Sequence, residues 1–346
     1  MRYKLLGNSG LRVSELCLGT MTFGEEWGWG ATQAVSQQIF DAFVEAGGNF
    51  IDTANYYTAG TSERYLGDFI HAERNHFVLA TKYTLNTNPD DPNTGGNHRK
   101  NLHQAVEHSL KRLQTDYIDL LWVHAWDPLT PLEETMRALD DLVRAGKVLY
   151  VGVSDTPAWV VARANTMAEL RSWSPFVALQ LEYNLVERTV ERELLPMAEA
   201  LKLGVTAWGP LSSGLLTGKY TVNKDSSASR RITEGNLLKL NERNLGIAST
   251  VDALAKEANL EASHIALAWL RHRGVIPILG ARTIEQMHCN LACLEIELNA
   301  GQLKILEEVS QIEFGFPHEF LRRETIQKII YGNTLEQIDH QGRYRV

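Results

Sequence analysis

Short runs of apolar, β-branched and aromatic residues alternate along this chain with longer stretches whose apolar residues recur every three or four positions. The first pattern suits buried parallel strands and the second suits helices that cover them, so the chain predicts repeated strand and helix units. Eight strands are read: ELCLGTM near 15–21, NFIDT near 49–53, FVLATK at 77–82, IDLLWVH at 118–124, LYVGVS at 149–154, VALQLE at 177–182, GVTAWG at 204–209 and VIPILG at 275–280. Between them lie amphipathic stretches such as QAVSQQIFDAFVEAG and LHQAVEHSLKRLQ, in which Leu102, Val106, Leu110 and Leu113 fall on one stripe. Eight repeats in about 250–300 residues predict an α/β fold of the (β/α)8 TIM barrel type. A doubly wound sheet would have fewer strands and a GxGxxG turn after the first, and no GxGxxG occurs.

The remaining segments decorate this barrel. YKLLGNSGLRVSE reads as an N-terminal hairpin able to plug the bottom of the barrel. Two connections, 83–97 and 210–242, exceed the usual short loops and read as binding loops or lids. In the second, the polar part 221–242 is expected to be mobile without a cofactor and ordered with one. Extra helices are predicted over 283–294 and 299–312, with a tail over 315–346 packed on the barrel or partly disordered. No boundary divides 1–346, which reads as a single domain.

Composition narrows the function. With 346 residues, 44% hydrophobic and 22% charged, the chain can bury a large core unaided. Its formal net charge of -8 and dispersed basic residues, apart from Arg230 and Arg231, argue against nucleic acid or an anionic membrane as partner. The opening MRYKLLGNSG lacks a long apolar stretch, and the expected state is a cytoplasmic protein, monomer or homo-oligomer, with a small-molecule ligand. Cys17, Cys289 and Cys293 fit neither a disulfide framework nor a zinc site and read as packing residues, and no metal is expected.

In a (β/α)8 barrel the carboxyl ends of the strands share one face, where active sites are built. The second, third and fourth predicted strands end in Asp52, Lys82 and His124; Ser154 and Asp155, Gln180 with Glu182 beyond, Trp208 and Gly280 end the others. Each residue alone has a structural reading, as a loop cap, a solvated charge or a satisfied histidine. At adjacent strand ends, an acid, an amine and an imidazole can satisfy one another, and together they point to chemistry. Tyr57, five residues past Asp52, can lean over the mouth toward Lys82. A free phenol has a pKa near 10, and a neighbouring ammonium is expected to lower it. Asp52 would hold Lys82, His124 would orient a substrate oxygen, and Tyr57 would give that oxygen a proton as hydride is added to a carbonyl. Tyr56 is expected to be a packing residue. Trp27, Trp29, Tyr83 and Trp126, on top-face loops, could wall a pocket for an aldehyde.

The positions Asp52, Tyr57, Lys82 and His124, the segments NFIDTANYY, GVSD, PLSSGLLTGKY and GARTIEQMHCN, and their order resemble the aldo-keto reductase family from about residue 3 to residue 310. The start YKLLGNSGLRVSELCLGTMTFG and the later GFPHEFL resemble its aryl-alcohol-dehydrogenase-like branch. The resemblance implies NADPH (NADP+) as cofactor, bound without a Rossmann domain. It implies that Ser154, Asp155 and Gln180 hold the carboxamide and that Trp208 stacks on the nicotinamide. Gly209, Leu211, Ser213, Gly214 and Lys219 would wrap the pyrophosphate, and Gly280, Arg282, Gln286 and Asn290 the adenosine end, with Arg282 on a 2′-phosphate. The family usually has Asn where Asp155 stands, a change that keeps an acceptor and loses an amide donor. Rival readings are a class I aldolase using Lys82, which leaves Trp208 and Arg282 idle, and a metal-dependent hydrolase, for which His124 lacks an HxH partner. A third is a cofactor-sensing regulatory subunit similar to the potassium-channel β subunits.

Overall fold

The computed structural model describes residues 1–219 and 240–339. The predicted strands close on themselves. β3 (Cys17–Gly19), β4 (Phe50–Asp52), β5 (Val78–Tyr83), β6 (Ile118–Val123), β7 (Val148–Ser154), β8 (Phe176–Glu182), β9 (Gly204–Trp208) and β10 (Ile276–Leu279) form a closed barrel in sequence order, with β10 against β3. Every pairing is parallel, as strands joined through covering helices require. Leu102, Val106, Leu110 and Leu113 all face inward from the helix Arg99–Leu113, as their spacing predicts.

The barrel interior is packed. Phe50, Val78, Ala80, Leu120, Trp122, Ala178 and Ile278 fill it together with Leu6. Room for Trp122 comes from Gly152 opposite, where a Cβ would lie 2.5 Å from the indole ring. The N-terminal hairpin, β1 (Tyr3–Leu5) paired antiparallel with β2 (Arg12–Ser14), delivers Leu6 into this core. Gly7 makes the delivery possible: its φ is +58°, and a Cβ would sit 2.2 Å from the Val177 carbonyl and 2.5 Å from the Gly204 amide at the barrel's lower rim. Left-handed backbone and overpacking both penalise a side chain there, so Gly7→Ala is expected to lose about 2–4 kcal/mol of stability. A urea-unfolding loss below about 0.5 kcal/mol would contradict the plug.

The loop 83–97 closes on its own base and on the loop after β6: Gly96 N donates to Thr84 O at 2.7 Å, and Asn97 N donates to Asp127 Oδ2 at 2.9 Å. The predicted helices at 283–294 and 299–312 are Ile284–Leu291 with a short turn Ala292–Glu295, and Ala300–Ser310. The chain entering the tail lies at the bottom of the barrel, where Arg192 holds the Glu313 carbonyl and Phe314 lines a cleft of about 810 Å³ with Leu5, Gly7, Gly204 and, from the tail, Arg322; the tail helices His318–Arg322 and Glu324–Tyr331 bury no residue. The expected lid over 221–242 lies outside the described residues up to 239; beyond it Asn241 caps the helix Glu242–Glu257. Among the described residues no helix is long and apolar enough to cross a membrane.

Candidate active site

At the carboxyl ends of β4 and β5, Asp52 and Lys82 are 2% and 1% exposed and form a buried ion pair. The three ammonium protons of Lys82 are all placed: on Asp52, on the Thr53 carbonyl at 3.0 Å and on the Tyr57 hydroxyl oxygen at 3.1 Å. Tyr57 therefore accepts from Lys82, and its own phenolic proton must point elsewhere. The second carboxylate oxygen of Asp52 accepts from Gln180 Nε2 at 2.9 Å. This ring of partners fixes Lys82 as a charged group. Burial pulls its pKa down, but Asp52 and Tyr57 outweigh burial and the net direction is up.

The loop after β4 aims the phenol. Thr58 and Ala59 have φ of 46° and 53°, a left-handed bend that β-branched threonine seldom adopts. The bend is held by Thr58 Oγ1, which donates to the Phe23 carbonyl at 2.6 Å and accepts from Ser62 N at 3.2 Å. Strain so secured at a candidate site marks a position built for geometry. The Tyr57 pKa moves up, contrary to the expectation from Lys82 alone. Burial is the larger effect, and the ammonium only partly offsets it. The phenol thus stays protonated at neutral pH, as a proton donor must.

His124 follows β6 with its ring edge-on to Tyr57, centroids 6.0 Å apart. Burial, then Lys82, pushes its pKa well below the ordinary value, so the imidazole is neutral and keeps one N–H to donate. Its Nδ1 is buried without a partner. Around the mouth, Trp27 stands 6.3 Å from the Tyr57 ring and 5.4 Å from Trp29. Trp126 meets Trp159 edge-on at 5.8 Å, a rim residue that the sequence reading missed although it follows GVSD closely on the helix Ala158–Arg171.

One aromatic expectation is corrected. Tyr83 does not wall the mouth: it is 1% exposed and packs outside the barrel against the helices, with Leu102, Val106, Met136 and Leu139 in the same core. Strand alternation requires this, because Lys82 points inward and its neighbour must point out. Tyr56 does pack, on the Trp27 ring with centroids 5.9 Å apart, although it stays 42% exposed.

The residues assigned to a cofactor lie along one side of the mouth. Ser154 is 1% exposed and its hydroxyl is buried without a partner. It sits beside Gln180 in the β7–β8 register. Asp155, at φ +41°, accepts from Trp208 Nε1 at 3.0 Å. Its carboxyl opens to solvent at the rim, yet the concave walls strip part of its hydration and raise its pKa, an effect the Trp208 N–H and Lys82 partly offset. After Gly209, Ser212, Ser213 and Gly214 take successive left-handed φ values of 47°, 51° and 90°, just past half-buried Leu211. A Cβ on Gly214 would lie 2.7 Å from Lys219 Nζ, so the glycine leaves the ammonium room. Lys219 in turn has its pKa lowered, first by burial and then by Arg282. The charge of Arg282, from a distant part of the chain, is thus felt at Lys219, a pairing of cations that suits an anionic ligand. Gln286 Oε1 accepts from Arg282 N at 2.9 Å, and Asn290 Nδ2 donates to the Gly280 carbonyl at 3.3 Å.

Comparison with known proteins gives a family and relatives. The model of the Aldo/keto reductase family matches residues 15–311. A norsolorinic acid reductase of Aspergillus flavus is 39% identical over 329 residues, covering 92% of this chain and 83% of its own. An aryl-alcohol dehydrogenase [NADP(+)] of Phanerodontia chrysosporium is 36% identical over 341 residues, covering 91% and 87%. Norsolorinic acid reductase B of Dothistroma septosporum is 37% identical over 338 residues, covering 93% and 84%.

Proposed function

The chain belongs to the aldo/keto reductase family, as an oxidoreductase acting on carbonyls, and from that premise we propose that it reduces aldehydes or ketones to alcohols with NADPH, Tyr57 giving the proton. The observation that carries this reading is the Lys82 ammonium: with its three protons placed, Tyr57 is left as an acceptor from Lys82 whose own O–H is not used in that contact.

The residues suit the cofactor. The unpartnered Ser154 hydroxyl can take up a carboxamide, the left-handed run 212–214 can turn amides toward a pyrophosphate, and Lys219 with Arg282 supplies positive charge for phosphate. Trp208 offers a half-buried indole for the nicotinamide to lie against. When bound, the cofactor supplies the hydride. This chain's part is to handle the carbonyl oxygen. Neutral His124 donates its N–H to that oxygen and orients it, and Tyr57 transfers its proton as negative charge develops there. The phenolate left behind is stabilised by the Lys82 ammonium, which Asp52 and Gln180 hold in place. Trp27, Trp29, Trp126 and Trp159 make an aromatic rim, and together with relatives named aryl-alcohol dehydrogenases they favour aromatic aldehydes as substrates.

NADPH should bind more tightly than NADH, because Arg282 can take a 2′-phosphate through its planar fork. In Arg282→Ala that preference should shrink by about 1.5–3 kcal/mol, the worth of a charge-assisted hydrogen bond. Titration of tryptophan fluorescence with both nucleotides reads it. Equal affinities in the unsubstituted protein would exclude the 2′-phosphate role.

A further inference from the structure

Carboxylates gather around Trp208, and the proton transfer assigned to Tyr57 uses none of them. Glu182 and Trp208 are cross-strand partners in β8 and β9. Alternation from inward Gln180 and Thr206 sends both side chains to the same side, into the mouth. Glu182 reaches Gly209, where a Cβ would lie 3.8 Å from Glu182 Oε1. Asp155 holds the far edge of the indole through Trp208 Nε1 at 3.0 Å. Glu187 adds negative charge behind them: burial, then Glu187 and Asp155, pushes the Glu182 carboxyl up to about 7.

The neighbouring cations do not balance this wall. Lys82 is paired with Asp52 and offsets only part of the burial effect on Asp155, and His124 is uncharged. Lys219 and Arg282, near enough to feel each other's charge, are the cations assigned to the phosphates. The side carrying Trp208 is therefore net negative once Asp155 and Glu182 are ionised.

We propose that Asp155 and Glu182 make this pocket discriminate between the two oxidation states of its nucleotide, holding the cationic oxidised nicotinamide in preference to the neutral reduced one. This rests on the proposed function, since only that reading lays the ring on Trp208. The two nucleotides are otherwise alike, so carboxylates beside the ring act on the one charge that distinguishes them. In a concave, partly dehydrated site that attraction is screened far less than in water. By linkage, tighter binding of the oxidised form pulls the bound equilibrium toward NADP+ and alcohol, the direction of carbonyl reduction, and slows release of the oxidised product.

The test measures dissociation constants of NADP+ and NADPH calorimetrically at pH 8.5, where both carboxylates are ionised, in the unsubstituted protein, Asp155→Asn and Glu182→Gln. Each substitution is near-isosteric and exchanges the charge for a neutral amide, whose added N–H donor meets the same carboxamide group in both nucleotides and so largely cancels from their ratio. Asp155→Asn should weaken NADP+ relative to NADPH about tenfold, and Glu182→Gln about three- to tenfold. Affinity for 2′,5′-ADP, which lacks the nicotinamide, should stay within about twofold in both, a result that a merely structural role would not give. If both nucleotides bind and their ratio moves in neither variant, or moves the other way, the inference is overturned and the proposed function stands. If neither nucleotide binds the unsubstituted protein, the proposed function fails and this inference fails with it.

Discussion

Tyr57→Phe should slow carbonyl reduction by about 10²–10⁴-fold and leave NADPH affinity within about twofold. The substitution keeps the ring that stands against Trp27 and His124 and removes only the hydroxyl that accepts from Lys82. The loss corresponds to about 3–5 kcal/mol of transition-state stabilisation, far above the effect of trimming a hydroxyl elsewhere at the rim. Tyr56→Phe is the control. Its ring is 42% exposed and reaches Trp27 instead of Lys82, so its rate should stay within about twofold. Single-turnover rates in the two variants decide the matter: a Tyr57→Phe rate within a few-fold of the parent would place the proton donor elsewhere.

The second large effect concerns stability. Asp52→Ala leaves the Lys82 ammonium buried at the barrel mouth with only the Thr53 carbonyl and the Tyr57 hydroxyl as partners. Removing one member of a buried pair costs about 3–5 kcal/mol, because the remaining charge keeps its desolvation penalty without compensation. Asp52→Asn retains an acceptor and should cost less. The pH dependence has a definite sign. The folded pKa of Lys82 lies above its unfolded value, so the stabilisation it brings is fully present below about pH 10.4 and is lost as pH rises through the folded value. In Asp52→Ala burial acts with less opposition and the ammonium pKa falls, so any remaining contribution should disappear at a lower pH. Urea unfolding of both variants between neutral and alkaline pH measures this; a loss below about 1 kcal/mol in Asp52→Ala at neutral pH would mean the pair does not hold the site.

Much of this architecture is legible in the sequence because parallel strands and amphipathic helices obey simple periods. Asp52, Lys82 and His124 declare themselves as polar residues ending apolar runs, and a closed barrel then brings successive strand ends together. Tyr83 shows the limit of reading by adjacency. It follows Lys82 directly, and the two-residue period of a strand is what turns it away from the mouth. The direction of the Tyr57 pKa was not legible either, since burial in the finished mouth outweighs the nearby ammonium that the spacing suggests. The meeting of Lys219 with Arg282 depends on how the loop after β9 crosses to the helix after β10, which no local pattern encodes. Trp159 looks in sequence like any apolar residue of a helix, and only the position of that helix beside Trp126 places it on the rim.

The most direct test of hydride transfer to a carbonyl uses NADPH carrying deuterium on its transferable ring carbon, incubated with an aromatic aldehyde and the unsubstituted protein. The label should appear on the carbinol carbon of the alcohol product by mass spectrometry, at the rate at which reduced nucleotide disappears. Tight binding of NADPH with no labelled alcohol from a panel of aldehydes and ketones would contradict the account and favour a regulatory role for the same pocket.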